Sequence, residues 1–277
     1  MAKKNINEMS FLDHLEELRW HLIRSTAAIM ITATVAFIAK EFIFDVLLLG
    51  PSNSDFYTYK ILCKVSQYLG MGDGFCFDTL PFEIQSRTMA GQFSAHIWMS
   101  ITVGFIVAFP YILFQFWKFI SPGMHINERK HSRGFIIVAS FLFFVGVLFG
   151  YYVICPLSIN FLGTYQVSQQ VHNDFDLNSY TGLIRASVLA SGLIFELPIL
   201  IYFLTKIGLV TPEFLRKYRK YALVIVLVLS AIITPPDIAS QIIVAIPILI
   251  LYQVSIYISK VVLKKQKIKE EKAKKHA

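Results

Sequence analysis

With 277 residues, 55 % of them apolar and only 16 % charged, the chain carries too few charges to cover a soluble domain, where roughly a quarter of residues are charged. The formal net charge of +8 would suggest nucleic acid in a soluble protein, but Lys and Arg gather between apolar runs and at the C-terminus instead of spreading over one domain, which argues against that partner. A protein whose outer wall faces hydrocarbon fits better, and its 24 Phe and 13 Tyr suit lipid-facing surface and headgroup-level anchoring.

Residues 1–9 are polar, and the apolar stretch beyond them is too long for a signal-peptide core, so the first span is expected to stay in the mature chain. Ser10 to Leu22 reads as a short amphipathic helix leading into that span. Ser10 would cap it, with Asp13 three residues on. Phe11, Leu15, Leu18 and Leu22 share one face, and Asp13 and Glu17 share another with Trp20 and His21. Two carboxylates beside an aromatic ring suit a guanidinium, through charge-assisted bidentate hydrogen bonds and stacking. A solvated helix start with acids at the positive dipole end explains the same residues.

Crossing the hydrocarbon takes about 20 mainly apolar residues in a helix. Spans are expected at about 22–39, 95–116, 134–155, 180–204, 221–233 and 238–259. Together they make an all-α membrane domain over residues 1–259, with an extended outer loop at 52–92 and a basic, disordered tail at 260–277. Pro110 interrupts the second span, Pro156 ends the third and Pro198 kinks the fourth. Thr211-Pro212-Glu213 opens a helix in a basic stretch. Thr234-Pro235-Pro236-Asp237 splits the remaining apolar sequence into two short final helices, the fifth looking too short for an unthinned bilayer; a single broken or re-entrant element is the alternative.

Lys and Arg cluster before the first span, after the second, after the fourth and after Ser259, whereas the loop after the third span and the Pro-Pro turn have none. By the positive-inside rule both termini are cytoplasmic. Within the apolar segments, Glu196 is costly to bury unless protonated, paired or facing water. A proton relay, a partner-helix contact, or a hydrogen bond to backbone freed by Pro198 each account for it. Gln115 and Gln241 are further polar residues in apolar surroundings, Cys155 reads as a buried hydrophobe, and Glu128 is an acid in a basic loop that Arg129 or Arg133 could pair. No metal set, cofactor loop or catalytic motif is visible, so enzyme chemistry is not expected.

Several stretches, in order along the chain, resemble the TatC family, the multi-spanning receptor subunit of the twin-arginine protein translocase. They are His14 to Arg19, Pro110 with Gln115 to Gly123 and Glu128-Arg129, Gly150 to Tyr152 with Pro156-Leu157, Phe195 to Pro198, Leu215 to Arg219, and Leu229 to Asp237 with Ser240-Gln241. The resemblance implies a non-enzymatic receptor in the bacterial plasma membrane that binds signal peptides with an Arg pair at the cytoplasmic face. It implies work with TatB-like and TatA-like single-span subunits, self-association, and export of folded proteins driven by the proton-motive force. Carried onto this chain, Glu17 and Glu128 contact the arginine motif, with Arg19, Phe119, Tyr151 and Gln115 in support. Glu196 and Gln241 become intramembrane polar positions for partner contact, and Pro51 and Asp237 far-side caps. The outer loop departs from the family in its length and in Cys63 and Cys76, which form a disulfide if that loop faces an oxidising compartment. Two other readings remain open from the sequence: a proton-coupled small-molecule transporter centred on Glu196, and a membrane scaffold without ligand.

Overall fold

A computed structural model describes residues 11–68, 70, 76, 82–120, 132–168, 170–171, 173–234 and 237–275. Ser10, Glu128, Pro235 and Pro236 lie outside them. In chain order the elements are α1 (Phe11–Ile38), a π-helical turn (Phe42–Leu48), a 3-10 turn (Gly50–Ser52), α2 (Tyr57–Tyr68), β1 (Glu83–Gln85) and α3 (Gly91–Ile120). There follow α4 (Ser132–Phe149), a second π-helical turn (Gly150–Ile154), α5 (Cys155–Thr164), β2 (Asp174–Asp176), α6 (Leu177–Phe195), α7 (Leu197–Lys206), α8 (Pro212–Lys217), α9 (Arg219–Ile233) and α10 (Ile238–Lys275). β1 and β2 form a two-stranded sheet.

Among the described residues, five helical stretches are long and apolar enough to cross a membrane: Leu15–Ile38, Gly91–Ile120, Ile136–Thr164, Leu177–Lys206 and Ser240–Ile268. The expected fifth span corresponds to α9, whose 15 residues reach only about 22 Å at 1.5 Å per residue.

The elements fold as two compact units, Met1–Leu49 with Gln85–Phe144 and Asp176–Thr181, and Gly50–Ile84 with Val145–Phe175 and Gly182–Ala277. In the first unit α1 packs along α3 through small residues. A Cβ added at Gly104 would sit 2.6 Å from the Ala33 nitrogen, and the Thr32 hydroxyl donates to the Gly104 carbonyl at 2.8 Å. Lipid supplies no hydrophobic drive between helices, so close backbone approach and such hydrogen bonds hold the pair together. Further along α3, the Phe109 ring stacks on the fully buried Phe143 of α4 at 3.5 Å. The Asp176 carboxylate accepts the backbone N–H groups of Arg87 and Asn178, and these bonds hold its carboxyl below the usual carboxylate range.

In the second unit, Gly146 and Gly150 repeat the small-residue device, since a Cβ on either would press within 2.8 Å of the Ser191 or Ser187 carbonyl of α6. The core around them is Ile154, Val226, Val244, Ala245 and Ile248, flanked by Phe149, Ile194 and Leu197. Below it α7, α8 and α10 are tied by polar bonds, with Thr205 to Ser259 at 2.9 Å, Tyr252 to the Leu215 carbonyl at 2.8 Å and Gln266 to the Lys206 carbonyl at 3.0 Å. The expected start at Thr211 is present: its hydroxyl accepts the Phe214 N–H, with Pro212 in the first turn of α8.

Three boundaries differ from the sequence reading. The third apolar helix does not stop at Pro156. The π-helical turn at Gly150–Ile154 precedes it, Pro156 falls in the first turn of α5 where its missing N–H costs little, and helix runs on to Thr164. The outer loop contains α2, an amphipathic helix, where the sequence reading saw only polar chain. The tail beyond Ser259 continues α10 to Lys275 instead of being disordered, consistent with its richness in the helix formers Lys, Glu, Gln and Ala.

Tyr59 anchors α2. It is 2 % exposed, and its hydroxyl reaches the carbonyls of Pro51 at 2.9 Å and Pro156 at 3.1 Å. Burial holds the phenol well above its ordinary pKa, so it remains a donor. Cys63 and Cys76 are joined as a disulfide, with their Cα atoms 4.5 Å apart.

Gly104→Ala is expected to lower the thermal unfolding midpoint of the detergent-solubilised protein, at a cost of about 1–3 kcal/mol from overpacking against Ala33. Gly134→Ala, where an added Cβ meets nothing within 4 Å, should leave the midpoint unchanged or higher. Equal midpoints for the two variants would contradict the α1–α3 contact.

Candidate functional site

The candidate site lies in the first unit, where the start of α1 meets the end of α3. The two helices run antiparallel in a register set by two contacts. Thr32 bonds the Gly104 carbonyl, and His21 Nδ1 stands 2.7 Å from Gln115 Oε1, donating in its Nδ1–H tautomer. The same register puts Glu17, one turn before His21, level with Phe119. The Phe119 ring meets the His21 ring edge-on with centroids 6.3 Å apart. Gln115 is 3 % exposed and neighbouring Trp117 is buried, so this end of the helix pair is packed and not frayed.

Within that setting Glu17 is half-buried, and its Oε2 is out of reach of solvent with no hydrogen-bond partner among the described residues. Leaving a carboxylate oxygen desolvated and undonated costs about 1–3 kcal/mol or more. The atom is therefore poised to accept a donor brought by a ligand. Arg19 is exposed on α1, and Lys118 is exposed with its ammonium 4.6 Å over the Phe114 ring. Glu128 lies outside the described residues.

Tyr151 is grouped with Glu17 by resemblance. It sits in the π-helical turn of the second unit, with its ring edge-on to Phe56 at 5.7 Å and to Tyr152 at 4.9 Å. Pro51 is buried in the 3-10 turn with its carbonyl bonded by Tyr59. Asp237 caps α10, its carboxylate accepting the Ser240 backbone N–H and hydroxyl, each at 2.8 Å.

Glu196 occupies the break between α6 and α7. Its carbonyl accepts the N–H groups of Ile199 and Leu200, while its side chain makes no capping bond. Oε1 is buried and without a partner among the described residues, between Phe195, which packs on Phe149, and Leu197, which packs on the core. Of the three sequence accounts, a hydrogen bond to backbone freed by Pro198 is thus not made by that oxygen. The Gln241 amide is used within the chain, donating to the Leu227 carbonyl at 3.0 Å.

Two residues escaped the sequence reading. His21 was visible only as a neighbour of Glu17, because nothing local signals a bond to Gln115, 94 positions away. Arg185, half-buried in α6, sits inside an apolar span just past the point where the basic residues of the preceding loop were counted. Among the described residues no three His, Cys, Asp or Glu side chains converge to hold a metal ion.

Residues 13–247 match the family described as Sec-independent protein translocase protein (TatC). The protein of that name from Blattabacterium sp. subsp. Periplaneta americana is 48 % identical over 95 % of this chain and all of its own length. That from Aquifex aeolicus is 34 % identical over 94 % and 98 %, and TatCy from Bacillus subtilis 30 % over 96 % and 94 %. Among solved structures, a twin arginine translocase receptor TatC is 32 % identical with a TM-score of 0.67, covering 90 % of this chain and 99 % of that one.

Gln115→Leu is expected to destabilise the protein by about 1–3 kcal/mol in thermal unfolding, because a half-buried imidazole loses its partner. Adding His21→Leu should recover part of that loss, so the double variant costs less than the two single changes together. Strict additivity would show that the pair is not coupled.

Proposed function

The chain belongs to the TatC family of Sec-independent protein translocase proteins, and from that premise we propose that it is the receptor and core subunit of a twin-arginine translocase. In this reading it binds Arg-Arg signal peptides at the cytoplasmic face of a bacterial plasma membrane. With TatB-like and TatA-like single-span subunits, and in association with further copies of itself, it exports folded proteins using the proton-motive force. The chain crosses the bilayer six times with both termini cytoplasmic, α9 making a short fifth crossing where the bilayer thins. The distribution of Lys and Arg supports that orientation.

One observation carries the site: the buried Oε2 of Glu17, undonated among the described residues and level with Phe119 in the helix register. A guanidinium is planar, permanently charged and forked, so it can satisfy that oxygen by a charge-assisted bond and lie against an aromatic ring at once. Glu128, in the loop that follows Phe119, takes the second Arg. Arg19 and Gln115 keep the site in place, Gln115 by fixing His21 and with it the spacing of α1 from α3. Glu196 then serves the partner helices or the apolar part of the signal peptide, and its unpartnered oxygen is what supports that role.

In site-specific photocrosslinking to an Arg-Arg signal peptide, Glu17→Ala and Glu128→Ala should each lower capture about tenfold or more, as expected for loss of a charge-assisted bond. Replacing Arg-Arg by Lys-Lys in the peptide should weaken capture by wild-type protein similarly. Unimpaired crosslinking in the double variant would overturn the assignment. Glu196→Ala should leave capture by the Arg-Arg motif intact while reducing co-purification of the single-span subunits. If instead the purified chain alone takes up a small solute with protons, in a manner lost on Glu196→Ala, the transporter reading replaces this one.

A further inference from the structure

α2 and the disulfide that secures it are not used by the signal-peptide reading, yet their surface is patterned. At 100° per residue, Tyr57, Ile61, Val65 and Tyr68 fall within one arc of about 80° of the helix. They are 69 %, 42 %, 46 % and 92 % exposed. Tyr59 and Ser66 point the opposite way and are buried against the protein. Lys60, Lys64 and Gln67 fill the arc beside the apolar stripe, all exposed, with Lys60 also 2.9 Å from Asp55. An exposed apolar stripe flanked by lysines is the pattern of a helix lying in a membrane interface, apolar side toward the acyl chains and cations toward the phosphates.

The apolar side of α2 also walls an open-sided cavity of about 460 Å³, faced by Tyr152 and Val153 of the π-helical turn, Leu157 and Ile243, with Tyr57, Ile61 and Leu62 contributed by α2. The lining is almost wholly apolar apart from Thr58. A transmembrane helix about 10 Å across would fill that volume in little more than one turn, so the space is too short for a partner helix. A single alkyl chain fits it, and the lysines at the edge of the stripe select the headgroup by charge.

We propose that α2 is an interfacial helix and that the open-sided cavity along its apolar side holds one acyl chain of an anionic glycerophospholipid, whose phosphate is met by Lys64 and Lys60. The lipid belongs to whichever leaflet borders α2, and the site is independent of the signal-peptide reading. Its role is to seat the outer loop on the bilayer. The disulfide from Cys63 to Cys76 restrains the C-terminal half of α2, so the lysine and tyrosine stripes keep their register at the membrane surface.

The test uses the full chain in nanodiscs containing phosphatidylglycerol with a diazirine on its acyl chain, followed by peptide mapping. Label is expected in the peptide that carries Tyr57 to Leu62, and unlabelled phosphatidylglycerol should compete better than phosphatidylcholine. Lys64→Gln and Lys60→Gln should each reduce that preference about fivefold, the value of one basic residue near an anionic surface. Leu62→Trp, which fills the cavity from α2, should remove the label there while labelling along the spans is unchanged. Val153→Phe, which fills it from the opposite wall, gives the same reading if Leu62→Trp fails to fold. Label in Tyr57 to Leu62 that persists in a folded filled-cavity variant, or equal competition by the two lipids, overturns the proposal.

Discussion

The structure depends on one property of the bilayer core: it holds no water to hydrogen-bond a polar group, so each such group must find its partner inside the protein or remain costly. Part of the second unit meets it directly. Thr205 and Ser259 bond each other, and Gln241, Tyr252 and Gln266 each donate to a carbonyl on a neighbouring helix. Pro156 has no N–H to give the Tyr152 carbonyl one turn back, and the Thr58 hydroxyl of α2 donates to that carbonyl instead. Seven buried side-chain polar atoms have no partner among the described residues, and the two on acids, Glu17 and Glu196, are the informative ones because a carboxylate is the costliest of these groups to leave undonated.

Small residues convert this constraint into geometry. Gly104 against Ala33 lets α1 and α3 approach until Thr32 can bond across, and that contact fixes the register for the full length of the pair. His21 and Gln115 then meet one end, and Glu17 comes level with Phe119 as a consequence of the register alone. The candidate site is thus held by helix packing instead of loop conformation, which suits a recognition that depends on the orientation of a planar guanidinium.

Much of this was legible in the sequence, for physical reasons. Long apolar runs mark spans because hydrocarbon tolerates little else, and Thr211-Pro212 marks a helix start because its local chemistry is complete within four residues. What was not legible depends on contacts distant in sequence or on permissive local chemistry. Pro156 looked like a terminator because its tolerance rests on the preceding π-helical turn. α2 was hidden because it is short and set among Asp55, Lys60 and Lys64, which mark polar chain, and because its apolar stripe of Tyr57, Ile61, Val65 and Tyr68 lies on the exposed side. The Lys-rich tail reads equally as solvated coil or as helix, and nothing local decides between them. At the site, Glu17 could be singled out from its setting on a helix start. Its missing donor, the His21–Gln115 bond and the second-unit setting of Tyr151 could not.

The backbone beneath these two acids gives them different freedom. Glu17 stands within α1, an unbroken helix of 28 residues, and its carboxylate has few ways to move except about its own side-chain torsions. Such a group recognises a ligand by presenting a fixed direction to it. Glu196 stands at the break between α6 and α7, where its N–H bonds the Leu193 carbonyl in a tighter turn and its carbonyl opens α7 toward Ile199 and Leu200. A carboxyl at a helix break can be redirected by small changes at the two flanking residues, without disturbing the cluster of Ile154, Val244 and Ile248 that Leu197 packs on. A fixed acid suits discrimination of one cationic motif from another. A movable one suits contacts that are made and released.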